Sequence, residues 1–150
     1  VWRTPGHVFA TNDDLIVQIR GEALSLEALE AQETGLRLAR AQHRPAVYGA
    51  LLVIAEGAPA PTGEVAKRQR EMVREFAADE RVHIALVLEG RGPLVALKRT
   101  IARGVFTGAR RTIARNVNEG ARWLAAAYGE PSRADEIVAL VDSLRRSISA

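Results

Sequence analysis

"AVYGALLVIA", residues 46–55, decides the fold. The run is apolar throughout except for Gly49. Ten residues fall well short of the ~20 needed to cross a bilayer. Continuous rather than alternating hydrophobicity is the pattern of a strand covered on both faces, as in a parallel sheet with helices packed against it. A second run of the same kind, "VHIALVL", follows at 82–88. Parallel neighbours need a crossover, and the intervening stretch supplies one: a helix from Thr62 to about residue 79, with Val65, Met72, Val73 and Phe76 turned inward.

Working outward, residues 7–10 and "LIVQI" (15–19) read as two strands joined by the turn residues Asn12-Asp13-Asp14, hence an antiparallel hairpin. Ser25 caps a helix with Leu26, Leu29, Leu36 and Ala39 as its stripe, stopped by His43-Arg44-Pro45. Gly92-Pro93 opens a third helix, ended by Gly108, whose inner face is expected to be Leu94, Leu97, Ile101 and Val105. "RTIARNV" (111–117) is a shorter strand. "NEGARWLAAAYG" is a helix capped by Asn118 and stopped by Gly129. Pro131-Ser132 begin the last helix, with Ile137, Leu140, Val141, Leu144 and Ile148 in a row. The order is β-β-α-β-α-β-α-β-α-α. It implies one α/β domain over 1–150, with a mixed, mostly parallel sheet of four or five strands and helices packed on it. Residues 131–150 form a C-terminal helical extension.

Composition narrows the function. The chain has 150 residues, 47% apolar and 26% charged, with no cysteine, which excludes a disulfide framework and any thiolate metal site. His7, His43 and His83 stand in no ligand spacing, so no metal or cofactor is expected. The opening "VWRTPGHVF" lacks the pattern of a secretory leader, and a cytoplasmic location is the expectation. Of 21 basic residues, 19 are arginine. From Arg91 to Arg122 there are eight basic residues and one acid, Glu119, although the whole chain carries only +3. Lys98, Arg99 and Arg103 are the candidate interaction patch, lying opposite the apolar stripe of the third helix, a field that steers an acidic partner. Phe106 is the only aromatic within that segment, so nucleic acid is not the expected partner.

The element order resembles the STAS domains, the anti-sigma-factor-antagonist family, over roughly residues 8–128. The ending "VNEGARWLAAA" is similar to the close of a sub-branch without the phosphorylation motif. The resemblance implies a bacterial regulatory module that works by protein–protein contact, without catalysis, with a homodimer as a further expectation. Phosphorylated relatives carry the switch serine in an Asp-Ser-Ser/Thr-Gly stretch. The matching place here is Ala60-Pro61-Thr62-Gly63, which keeps the hydroxyl and the glycine but not the aspartate. Thr62 is therefore read first as a helix cap and second as a regulatory hydroxyl. The alternative function is a small-ligand or anion-binding domain at the carboxyl edge of the sheet. There Gly90, Arg91 and Gly92 form a turn before a helix start, with Glu56 and Glu89 close by in the topology.

Overall fold

The computed structural model describes residues 1–106 and 108–149, except for the side chains of Val105 and Ser149. The elements are β1 (Trp2–Thr4), β2 (His7–Asn12), β3 (Leu15–Arg20), α1 (Leu26–Gln42), β4 (Tyr48–Ile54), α2 (Gly63–Ala77), β5 (Val82–Leu88), α3 (Pro93–Val105), β6 (Arg111–Ala114), α4 (Val117–Tyr128) and α5 (Arg133–Ser149). This is an α/β fold whose mixed, mostly parallel sheet has six strands. The strand beyond the expected set is β1. It is only three residues long, and its pairing with β2 rather than any periodicity of its own makes it a strand.

Strand order follows the sequence, β1-β2-β3-β4-β5-β6. The first two pairings are antiparallel and the last three parallel, with Leu15 opposite Gly49, Tyr48 opposite Val82 and Ile84 opposite Arg111. When each parallel crossover steps the same way, right-handed connections put every crossover helix on one face. The cores agree. On one face Phe9, Ile16, Tyr48, Ala50 and Ile84 pack with Phe76 and Ala77 of α2, Leu36 of α1 and Phe106 at the end of α3. On the other, Val8, Val17, Leu51, Val53, Ala85 and Val87 meet Ala121 and Leu124 of α4 and Ile137, Val141 and Leu144 of α5. The C-terminal helix is thus part of the core, covering β2 and β3. Arg133 pairs with Asp14 at its start, and Arg145 pairs with Glu89 at 2.6 Å near its end.

Helix ends follow local chemistry with two corrections. Ser25 Oγ accepts from the amide of Ala28 at 3.1 Å, as expected. The cap of α4 is Asn116, not Asn118: its Oδ1 accepts from the Glu119 amide at 2.8 Å, and the helix begins two residues earlier. Thr62 occupies the cap position of α2, yet its hydroxyl makes no capping bond. Gly63, the first residue of that helix, has φ of 58°, a left-handed conformation open chiefly to glycine. Leu26, expected on the stripe of α1, lies outside it; Ala28, Leu29, Gln32 and Ala39 are the buried positions.

Candidate interaction surface

The third helix is rotated relative to its sequence pattern. Leu94, Leu97 and Ile101, expected inside, are 75%, 55% and 60% exposed. The side chain of Val105, the fourth member of that expectation, lies outside the described residues. The inward face instead carries Val95 and Arg99, four residues apart. At 100° per residue that face is about 150° around the helix from the Leu94–Leu97–Ile101 stripe.

The reason is polar. Backbone carbonyls converge where β5 and β6 end, and a carbonyl taken from water needs a donor. The guanidinium of Arg99 reaches in and donates to the carbonyls of Leu88 at 2.7 Å, Gly90 at 3.2 Å and Arg115 at 3.3 Å. Arg99 is therefore an anchor rather than a member of a free basic patch, which corrects the sequence expectation. Lys98 and Arg103 are exposed as expected. Arg91 and Arg115 are exposed as well. Arg110 donates to the carbonyls of Asp79 at 2.6 Å and Val82 at 3.1 Å. The exposed surface of α3 is thus an apolar stripe with Lys98 at its side, while Arg103 lies about 150° away around the helix.

The turn Gly90-Arg91-Gly92 does lie at the carboxyl edge, with φ of 113° and 106° at its glycines. Its immediate neighbours are protein side chains. The Glu56 side chain sits over Gly90, so close that a Cβ there would fall 2.8 Å from the carboxyl carbon. The cation that reaches the turn is Arg99, which donates to backbone carbonyls, and Glu89 is paired with Arg145. Glu56 and Glu89 do both end the central strands, in keeping with their sequence positions. Thr62 is exposed on the same side of the sheet.

Sequence reasoning missed a buried polar cluster at the end of β3. His7, Gln18, Arg20 and Gln32 are all buried. The amide nitrogens of Gln18 and Gln32 lie 3.0 and 3.3 Å from His7 Nε2, which accepts from them when the ring proton is on Nδ1. Trp2 lies edge-on to the ring, with centroids 5.0 Å apart. Burial, then the neighbouring Arg20 charge, pull the His7 pKa down to about 4, with Glu22 opposing weakly. His7 is neutral at neutral pH. Arg20 donates to the carbonyls of Glu22 at 2.9 Å and Pro59 at 2.7 Å, tying the loop before α2 to the sheet. The legible signal was alternation: Ile16, Gln18 and Arg20 share one face, two of them polar in an otherwise apolar strand.

The hollows that adjoin α1 include a small one beneath it, a cleft and a groove. The small hollow, of about 40 Å³, lies under α1 and α2 near Gln18, Gln32 and Phe76, room for little more than a water. A cleft of about 510 Å³ between α1 and α2 is lined by Arg37, Arg40, Arg44 and Arg81. Its cations are largely matched: Arg40 and Arg81 hold Asp79 at 3.2 and 2.7 Å, and Arg37 meets Glu33 at 3.6 Å. Hydrogen bonding from Arg81 holds the Asp79 carboxyl well below the usual carboxylate range. The third hollow is a groove of about 460 Å³ between α1 and the β1–β2 edge. Trp2, Phe9 and Leu38 line it, with Glu27 and Glu30 also on its wall.

Among the described residues no cluster of three or more His, Asp or Glu side chains is placed to hold a metal, and no helix is long and apolar enough to cross a membrane. In comparisons with protein-family models, curated proteins and solved structures, nothing matches this chain.

Proposed function

We propose that the chain is a non-catalytic protein-interaction module of STAS-like type, acting in the cytoplasm through the exposed face of α3. The observation that carries this reading is the stripe Leu94, Leu97 and Ile101, three large apolar side chains in solvent on one helix face. Single exposed apolar residues are ordinary, but a contiguous set rimmed by charge is the composition of a binding surface. Lys98 lies beside it and Arg91 just before the helix, both exposed, and they favour an acidic partner. The carboxyl edge of the sheet, the alternative site, is occupied by protein groups: Arg99 on the strand-end carbonyls and Arg145 on Glu89.

The test is comparative capture. Wild-type protein and the variant Leu94→Gln/Leu97→Gln/Ile101→Thr are each used as bait in extract from the source organism, after circular dichroism shows equal helicity. The expected result is a partner retained by wild type and lost by the variant. Equal recovery of every partner by both baits sinks the reading.

A further inference from the structure

Helix α3 has two faces that repeat at helical spacing, and the less apolar one is turned to the sheet. Among its described side chains Val95 is the buried apolar residue, and the hydrogen bonds of Arg99 supply the rest of the hold. That arrangement leaves two apolar surfaces short of cover. One is the stripe Leu94, Leu97 and Ile101, in solvent. The other is the floor beneath. Leu52, Ile54, Leu86 and Leu88, on the sheet face that carries α2 and α3, are only half-buried, whereas Leu51, Val53, Ala85 and Val87 on the opposite face are fully covered. The hold itself is imperfect. Arg99 Nε is buried with no partner among the described residues, and the bond to Arg115 lies at the exposed rim, where water can replace it.

We propose that α3 rolls about its own axis by about 150° between this arrangement and one in which the stripe packs on Leu86 and Leu88. The rolled arrangement takes three large apolar side chains out of water. It also brings Arg99 and Arg103, both on the far side of the helix from the stripe, into solvent. The turns at its ends can absorb the motion. Gly92 and Gly108 have φ of 106° and 127°, and a side chain at either would meet open space, so packing does not wedge either turn in place. Arg110, beyond Gly108, stays tied to the carbonyls of Asp79 and Val82, which keeps the change local to α3. The proposal rests on the interaction-module reading and supplies its regulation. Rolled in, α3 hides the docking stripe; a partner bound to the stripe holds the helix in the observed arrangement.

The chain has no cysteine, so introduced thiols report position without background. The pair Leu97→Cys/Leu86→Cys joins the stripe to the floor. Leu97 lies about 160° around the helix from Val95, so in the observed arrangement the helix body separates the two thiols. Under mild oxidation in dilute protein, this pair is expected to close at least about tenfold faster than Leu97→Cys/Leu38→Cys, whose positions lie at opposite ends of the sheet face and meet only on unfolding. A second readout biases the helix. Arg99→Glu puts a carboxylate, which has nothing to donate, against the strand-end carbonyls. In that background labelling at Leu97→Cys should slow at least about tenfold, and labelling at Val95→Cys should quicken by a similar factor. Circular dichroism and urea midpoints check that each variant is folded. In extract, the reduced 97–86 pair is expected to capture the partner and the oxidised pair to lose it.

Closure no faster than in the distant pair overturns the proposal. So does fast labelling at both 95 and 97 in the Arg99→Glu background, which means a helix detached rather than rolled, and so does no change at either position. When the proposal fails in one of these ways while the stripe variant still loses its partner, the interaction-module reading stands without it. Equal capture by oxidised and reduced forms of a pair that does close overturns the regulation, and with it the stripe as the docking face.

Discussion

Lowering the pH from 7 to 5 drives a proton toward a side chain whose surroundings have no place for the charge. His7 is 1% exposed, sits beside Arg20, and receives hydrogen bonds at Nε2, where the added proton would go. Its pKa is lowered from 6.5 to about 4. Above pH 6.5 both folded and unfolded chains hold a neutral ring, and the group makes stability nearly independent of pH. Between 6.5 and 4 the unfolded chain binds the proton and the folded chain does not, so stability falls as pH falls. Below the folded value both forms are charged and the loss levels off. With these two values, the drop from pH 7 to pH 5 is about 2 kcal/mol. For a chain of this size that lowers a urea midpoint by about 1 M.

The assay is urea unfolding at pH 7 and pH 5 for wild type and His7→Gln. Glutamine keeps an acceptor for Gln18 but cannot take a proton, so its own loss between the two pH values measures every other group. Wild type should lose about 2 kcal/mol more than the variant. Equal losses would refute the assignment of a buried neutral histidine. Asp79, the strongly lowered carboxylate, contributes in a different window: its stabilisation is complete above the ordinary carboxylate range and fades only in stronger acid.

Three further substitutions follow from the geometry. Arg99→Ala removes the donor to three carbonyl groups and should cost about 1–3 kcal/mol in urea unfolding, with lost amide-exchange protection in α3; unchanged stability would mean those carbonyls are satisfied without it. Thr62→Ala should stay within about 0.5 kcal/mol of wild type, because the hydroxyl makes no capping bond, whereas Asn116→Ala should cost about 0.5–2 kcal/mol through loss of a formed cap. Equal costs at the two positions would show that Thr62 does cap in solution.

The sequence by itself determined the layered α/β architecture. Residues 46–55 and 82–88 are apolar on both alternating faces, so each had to lie inside a covered sheet, and helical stretches had to carry the crossovers. The hairpin at Asn12-Asp13-Asp14 and the inward row Ile137, Val141 and Leu144 were legible for the same reason: their periodicity states which side is buried. Only the tertiary structure decided which way α3 faces. Its apolar stripe and its Val95–Arg99 face both repeat at helical spacing, and periodicity alone favours the more apolar one. The face that turns inward carries Arg99, whose guanidinium donates to carbonyls at the carboxyl edge of β5 and β6, partners brought together only after the sheet has formed. The same holds for His7 and Gln32, 25 residues apart, and for β1, which is a strand only because β2 is beside it. Burial patterns are written along the chain, whereas hydrogen-bond partners distant in sequence are supplied by the fold.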